Sequence, residues 1–224
     1  MSQEMLALLA EALGETLYMV AVSAGIATII GVPLGVILLI TGRGHILENT
    51  PVNRVLGAIA NATRSTPFII LMVAIIPVTR IIAGTSIGTN AAIVPLAIAA
   101  IPFVGRVVEA SLREVDYGLI EAAQAMGASP FQIIRRVLLP EAMPSIVLGL
   151  TLTVISLIGY SAMAGAIGGG GLGDLAIRFG YQRFRVDVMI ATVVILIALV
   201  QAVQSAGDIL SLRLNKRYEK EKCV

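Results

Sequence analysis

Long apolar stretches dominate this 224-residue sequence and limit the folds that are open to it. Five of them are long enough to cross the hydrocarbon core of a bilayer, ~30 Å thick, which takes about 20 helical residues. Because backbone polar groups in hydrocarbon must be bonded within their own segment, each stretch is predicted to be an α-helix. The sequence thus predicts an all-α integral membrane bundle, with residues 1–224 as one transmembrane domain. The five predicted spans are Thr16–Thr41, Val55–Ile82, Thr89–Val108, Met143–Ile167 and Asp187–Gly207.

The low charge of the chain supports a membrane location. Charged residues make up 13% of the sequence, about half the share of ~25% that is usual in soluble domains. An unusually apolar soluble helical protein is the alternative. The net charge of +2 opposes nucleic-acid binding, which needs a concentrated basic face. With Cys223 as the single cysteine and His45 as the single histidine, neither an internal disulfide nor a metal site with four Cys or His ligands is expected.

Lysine and arginine residues predict the orientation, because they accumulate on the cytoplasmic side. Eleven lie in the loops and tail on one side and four on the other, with Arg64 left out as intramembrane. The N-terminus is therefore expected outside and the C-terminus in the cytoplasm. No positive charge precedes the first span, so no secretory signal peptide is expected. The basic tail Arg213–Lys222 is predicted to anchor on anionic lipid.

The second and first spans have features that bear on packing. Arg64 and Pro67 interrupt the second span, which predicts a helix kinked near Pro67 with Arg64 towards one interface. Five helices are few to enclose a polar pathway, which favours a homodimer about a two-fold axis. Gly31 and Gly35 form a small-xxx-small pair in the first span. This pair could serve such a dimer or packing within one subunit.

The segment between spans three and four, residues 109–140, predicts two short helices with a sharp turn. The first is expected over Gly118–Met126, with Glu121 near its start, where a carboxylate favours the helix dipole. Gly127 is suited to the left-handed conformation that ends a helix. Ser129, Pro130 and Gln132 then carry the pattern of a capping box, and Pro140 is expected to disturb that second helix. An exposed, alanine-rich helix of this kind fits a groove on another protein or an ordinary connector.

The spacing of residues in this segment resembles that of a known family. Permease subunits of bacterial binding-protein-dependent ABC importers carry Glu-Ala-Ala, three residues, Gly, nine residues, Ile, one residue, Leu-Pro. The sequence departs from that pattern only by a valine in place of isoleucine, which is expected to be neutral. The resemblance implies a coupling helix that docks into a cleft of a separate ATPase subunit. The matching residues are Glu121, Ala122, Ala123, Gly127, Val137, Leu139 and Pro140.

The likeness extends from Thr16 to Asp208. The stretch from Arg64 to Ile70 is similar to the start of the second span in amino-acid permeases, and Gly159–Met163 and Gly165–Gly173 are similar to the methionine branch. The resemblance implies a type I ABC importer permease in the bacterial inner membrane, working as a homodimer. Two ATP-binding subunits would hold ATP and Mg, and an extracytoplasmic binding protein would deliver substrate. The chain itself would then hold no cofactor and would not be an enzyme.

Two further groups of residues are candidate sites. Polar and small residues in span four suggest that Ser156, Tyr160, Ser161 and Met163 line or gate a pathway, the alternative for Met163 being packing filler. The run Gly165–Gly173 lacks the lysine and hydroxyl residue of a P-loop and is expected to be a flexible turn. Charges after it suggest a rim for contact with a binding protein. Those charges are Asp174, Arg178, Arg183 and Arg185.

The predicted spans lack residues that other classes of transporter need. No predicted span interior contains Asp, Glu or His, which argues against an ion-coupled carrier with a buried carboxylate. A permease of the same superfamily for another small amino acid remains open as an alternative to methionine.

Overall fold

The computed structural model describes residues 3–215, and all of the regular secondary structure within that range is helical. Four stretches are long and apolar enough to cross a membrane as continuous helices, and one bent helix pair passes the same test. The prediction of an all-helical membrane bundle is confirmed. The helices are α1 (Gln3–Ile40), α2 (Thr50–Ser65), α3 (Phe68–Ala74), α4 (Ile76–Ala83), α5 (Thr89–Arg113), α6 (Tyr117–Ala125), α7 (Pro130–Ile133), α8 (Leu139–Ala164), α9 (Gly171–Leu175) and α10 (Val186–Leu214).

Helix α1 starts at Gln3, so the predicted beginning of the first span at Thr16 is wrong as a helix boundary. The extra turns form because Met5, Leu9 and Ala12 lie on one helical face. All three are buried against α9 and the start of α10. Glu4, Glu11 and Glu15, which precede the predicted start of the span, therefore lie on a packed helix.

The second predicted span is broken rather than kinked. Helices α2 and α3 meet at an angle of 105°, and α4 follows after a second interruption at Ile75. Thr66 is extended (φ −86°, ψ 125°). Pro67 accounts for this, because a proline ring disfavours the helical conformation in the preceding residue and supplies no N–H of its own. The predicted kink near Pro67 is right in its position, but the bend is much sharper than that of a kinked helix.

The fourth span also begins earlier than predicted. From Pro130 the chain runs through α7, one wide π turn at Ile134–Leu138 and α8 as a continuous helical stretch to Gly169. Pro140 lies just inside α8, where it cannot donate to a carbonyl one turn back. Instead the Leu139 N–H donates to the Ile134 carbonyl, five residues back. Pro140 thus widens the helix without ending it.

Helices α1 and α5 approach each other closely at glycines. A Cβ added to Gly31 would lie 2.7 Å from the Val104 side chain, and one added to Gly35 would lie 2.5 Å from the Gly105 carbonyl oxygen. Such close approach lets the two backbones gain dispersion contacts, which drive helix association where the hydrophobic effect is absent. The alternative of packing within one subunit is thus confirmed for the Gly31–Gly35 pair.

Two ends of the bundle can be distinguished. At one, called the α6 end, α6 and α7 lie beside the loop 41–49, and the Ser211 hydroxyl of α10 donates to the Pro144 carbonyl of α8 at 3.0 Å. At the other, the α9 end, α9 packs against the first half of α1. The basic tail beyond Asn215 and Cys223 lie outside the described residues.

Candidate functional site

Helix α6 is capped by a residue that the sequence analysis missed. The Asp116 carboxylate accepts a hydrogen bond of 2.8 Å from the Gly118 N–H, so Asp116 is the N-cap and the helix starts at Tyr117. Glu121 lies in the middle of α6, and its predicted position near the helix start is therefore wrong. The signal that could have located the cap is an aspartate immediately before an apolar helical pattern.

The turn between α6 and α7 is defined by hydrogen bonds at both helix ends. Gly127 has φ +77°, its N–H donates to the Gln124 carbonyl at 2.9 Å, and the Ala128 N–H donates to the Ala123 carbonyl at 3.0 Å. This is the Schellman arrangement, which needs a left-handed residue at its glycine. Ser129 then starts α7 with a complete capping box. The predicted glycine turn and capping box are both confirmed.

The motif residues of α6 divide between two faces. Ile120 and Ala123 are buried against the bundle, which attaches α6 to the rest of the chain. Glu121 and Ala122 are exposed on the opposite side. Met126, at the end of the helix, is 81% exposed. The helix therefore presents a small-residue surface with an exposed methionine beside it.

Further contacts hold α6 against the bundle. Val137 and Leu139 are half-buried and pack against the hydrophobic core, whereas Pro140 is exposed. The Tyr117 hydroxyl donates to the Gly44 carbonyl at 3.3 Å, which links α6 to the loop between α1 and α2. Val137 and Leu139 thus support α6 from the core and do not extend its exposed face.

An ionic cluster lies where α5 meets α2 and that loop. Glu109 is buried and accepts hydrogen bonds of 2.6 Å from both Arg106 and Arg113. Arg106 also donates to the Gly57 carbonyl of α2 at 2.9 Å. Burial lowers the pKa of His45 in the loop, the positive charge of Arg113 lowers it further, and Glu109 opposes the shift. Glu109 is paired with two arginines, so it does not form the free carboxylate of an ion-coupled carrier.

A cavity of about 150 Å³ lies between α2, α3, α5 and α8. Ser156 and Tyr160, one helical turn apart on α8, both line it. The Tyr160 ring stacks on Phe68 of α3, with ring centroids 4.6 Å apart. Arg64, which the sequence placed towards an interface, also lines the cavity. The remaining lining residues are Thr63, Thr66, Leu71, Ala99, Ala100, Phe103, Thr153 and Leu157.

The other two candidate pathway residues of span four lie elsewhere. Ser161 is buried, and its hydroxyl donates to the Ile158 carbonyl at 2.8 Å. Met163 is 48% exposed and does not line this cavity. The structure therefore brings Ser156 and Tyr160 together around one cavity and does not bring Ser161 or Met163 to it.

The glycine-rich run at the α9 end is tightly packed, so its interpretation as a flexible turn is wrong. Added Cβ atoms at Gly165 and Gly173 would overlap with the backbone of neighbouring turns. The Glu15 carboxylate accepts a hydrogen bond of 2.6 Å from the N–H at the start of α9, and the Thr16 hydroxyl accepts the next one at 2.9 Å. Glycine here allows close backbone approach, and α1 supplies the helix cap.

The charged residues after this run form separate pairs. Arg178 pairs with Asp174 at 2.5 Å, and Arg185 pairs with Asp187 at 2.7 Å. Arg183 lies over an aromatic ring of the same segment, 4.5 Å from the ring centroid. These side chains are exposed or half-buried at the α9 end, on the same short stretch of chain.

The comparison with family models decides the family. A model described as "Binding-protein-dependent transport system inner membrane component" matches residues 12–220, nearly the whole chain. The chain belongs to this family. It is accordingly a multi-pass inner-membrane permease component, and the resemblance drawn from the Glu121–Pro140 spacing is confirmed at family level.

Individual relatives are similar over most of their length. The chain is 58% identical over 210 residues to a probable D-methionine transport system permease protein of Vibrio cholerae, covering 94% of this chain and 93% of that protein. It is 53% identical over 165 residues to the D-methionine transport system permease protein of Escherichia coli strain K12, covering 74% of this chain and 76% of that one.

Solved structures agree with the fold. A chain of a methionine ABC transporter in an inward-facing conformation matches with a TM-score of 0.95 and 49% identity, covering 96% of this chain and all of that one. A chain of an amino acid ABC transporter crystallised with histidines matches with a TM-score of 0.77 and 21% identity, covering 92% and 94% of the two chains. The second likeness shows the fold alone, and the predicted importer-permease fold is confirmed.

Proposed function

We propose that this chain is the membrane subunit of an ATP-driven importer that carries methionine across the inner membrane by alternating access. The observation that carries the proposal is similarity to D-methionine permease proteins along nearly the whole chain, at up to 58% identity. Similarity that covers 94% of the chain includes the cavity-lining helices as well as the coupling segment. The chain then acts as one transmembrane domain, with a coupling segment at about residues 109–140.

The α6 end faces the cytoplasm in this proposal, and α6 docks into a cleft of a partner ATPase. Its exposed face, with Glu121 and Ala122, makes the contact, while the buried Ala123 and the turn at Gly127 hold the helix in place. Val137, Leu139 and Pro140 support the segment from the start of α8. Two copies of the chain pair with two ATP-binding subunits, which hold ATP and Mg.

The α9 end faces outward and receives the substrate-binding protein. Asp174, Arg178, Arg183 and Arg185 form part of that contact, since paired charges around an interface steer a partner and fix its register. When ATP closes the two ATPase subunits, α6 moves with them. Because α7 and α8 are continuous, the movement reaches the wall of the cavity at Ser156 and Tyr160.

The test is uptake of labelled methionine in cells that lack this chain and every other high-affinity methionine system. Uptake should return with the intact chain and remain absent with Glu121→Lys, which reverses the charge on the docking face. Glu11→Lys is the matched control, because Glu11 is an exposed glutamate of α1 in the half that packs at the opposite end. The ATPase should co-purify with the control and less with Glu121→Lys.

Other results would change the assignment in defined ways. Full uptake by the Glu121→Lys variant would contradict the docking role of α6. If the intact chain restores uptake of another small amino acid and not of methionine, the substrate is wrong and the importer architecture stands. Uptake without any co-purifying ATPase would instead indicate an ion-coupled carrier.

A further inference from the structure

Arg64 lies far from both ends of the bundle, beside the cavity between α2, α3, α5 and α8. Its guanidinium is 5.7 Å from the ring centroid of Phe103. Phe103 is ten residues before the end of α5 and Ser156 eight residues before the end of α8, distances of about 15 Å and 12 Å along the two helices. A permanent cation at that depth is costly in a membrane protein and is commonly retained for a function.

No carboxylate among residues 3–215 forms an ion pair with Arg64. The ion pairs within that range join Glu109 to Arg106 and Arg113, Asp174 to Arg178, and Asp187 to Arg185. Arg64 is exposed in the single chain, so the guanidinium that lines this cavity is accessible to a carboxylate ligand. A planar guanidinium is suited to bind a carboxylate by two parallel hydrogen bonds.

Hydroxyl groups that line the same cavity as Arg64 complete a site of opposite polarity. Thr63, Thr153 and Ser156 each donate their hydroxyl hydrogen to a carbonyl four residues back, at 3.1, 2.9 and 2.9 Å. Because their hydrogens are used in this way, the hydroxyl oxygens offer only lone pairs to the cavity. Lone pairs of this kind accept hydrogen bonds from an ammonium group.

The rest of the cavity wall is apolar and aromatic. Phe68 and Tyr160 stack on one side, and Leu71 and Leu157 contribute aliphatic surface. At about 150 Å³ the space is close to that of an engineered cavity of ~150 Å³ that admits benzene, so it suits one small molecule and not a peptide. One cation, hydroxyl acceptors and an apolar wall match a zwitterionic amino acid with an apolar side chain.

A second cavity continues from the first towards the α6 end. It shares Arg64 and Phe103 with the first and is lined further by Arg106, Glu109 and Arg113. Arg64 lines both spaces, and each of the two further arginines already has Glu109 as an ion-pair partner, although the three together keep one net positive charge. A carboxylate moving along these spaces would meet its unpaired cation at Arg64.

We propose that Arg64 binds the carboxylate of the transported amino acid within this cavity, with Thr63, Thr153 and Ser156 around its ammonium group. The site rests on the proposed function, because it assigns an internal binding step to the same transport cycle. It adds a specificity-determining residue: substrates without a carboxylate are rejected inside the membrane as well as at any earlier step.

The test is equilibrium binding of labelled methionine to the purified permease–ATPase complex in lipid nanodiscs, without a binding protein. Arg64→Gln should weaken binding about tenfold or more, as expected when a hydrogen bond to a charged group is lost. Arg64→Lys should retain part of the affinity. Arg54→Gln is the matched control, since Arg54 is an exposed arginine of the same helix that lines neither cavity. Methioninamide, which lacks the carboxylate, should not compete.

Equal binding by the wild-type complex and the Arg64→Gln variant would overturn the proposal, as would competition by methioninamide at methionine's own affinity. If the wild-type complex binds another zwitterionic amino acid and not methionine, the substrate proposed above is wrong. Loss of that binding in Arg64→Gln would still support the carboxylate site. A wild-type complex that binds none of the standard amino acids would refute the site.

Discussion

The turn after α6 offers a substitution whose cost can be attributed to backbone conformation alone. Gly127 has φ +77°, and a Cβ added there would meet no atom within 4 Å. A replacement therefore clashes with nothing, and its effect comes from holding an L-residue in the left-handed region. That conformation costs roughly 1–2 kcal/mol for an ordinary residue, more for a β-branched one, and little for asparagine.

The expected order of effects follows from these preferences. A strain of about 1–2 kcal/mol changes the ratio of intact to distorted turns by a factor of roughly 5–30. Gly127→Asn should therefore behave nearly as the wild type, Gly127→Ala should be impaired, and Gly127→Val should be the most impaired. If the turn positions α6 for docking, the distorted fraction should hydrolyse ATP without transport.

The assay is the ratio of methionine uptake to ATP hydrolysis in vesicles reconstituted with the complete transporter. This ratio should fall in the order glycine, asparagine, alanine, valine. Equal ratios for the asparagine and valine variants would refute the reasoning, because asparagine tolerates positive φ and a β-branched residue does not. Normal ATP-driven uptake by Gly127→Val would also contradict the coupling role of α6.

Three further predictions concern packing, capping and protonation. Gly35→Val should destabilise the purified chain by about 1–3 kcal/mol through overpacking against α5, as measured by thermal unfolding in detergent. The control Gly25→Val, at an uncrowded position, should change stability little. Equal losses of stability in the two variants would contradict the close-approach argument. Thr16→Val removes the hydroxyl that accepts a hydrogen bond from the second N–H of α9, and it should lower the free energy of unfolding by about 1–2 kcal/mol. Unchanged rates of hydrogen exchange in α9 would count against this cap. The pKa of His45 is lowered in the folded state, so the free energy of unfolding should fall as pH drops below about 6.5 towards the folded pKa. NMR titration of Arg113→Gln should show the pKa of His45 returning part of the way to its ordinary value. A further decrease in that pKa would disprove the contribution of the Arg113 charge.

Local features of the site could be predicted because they depend on neighbouring residues. The left-handed Gly127 and the capping box at Ser129 each need only a few consecutive side chains, and both are present as predicted. The bounds of the helices are harder to predict from the sequence. The early start of α1 depends on Leu9 packing against α9, which lies far away in the sequence.

The cavity could not be predicted from hydropathy, because apolarity places helices in a membrane without showing which faces meet. Arg64 comes to the cavity only because α2 and α3 break sharply at Pro67. The packing of the glycine-rich run depends in the same way on Glu15 accepting a hydrogen bond from a residue 156 positions away. Contacts of this range are set by the whole bundle, and no short motif encodes them.

The wide turn at Ile134–Leu138 sets the angular relation between the docking segment and the cavity. A π turn holds one residue more than an ordinary helical turn, and one residue corresponds to about 100° of rotation at 3.6 residues per turn. If this stretch were regular α-helix, the additional residue would rotate α7 and α6 by about 100° about the axis of α8 relative to Tyr160. The wide turn takes up that residue locally, and it therefore keeps the docking face aligned with the cavity.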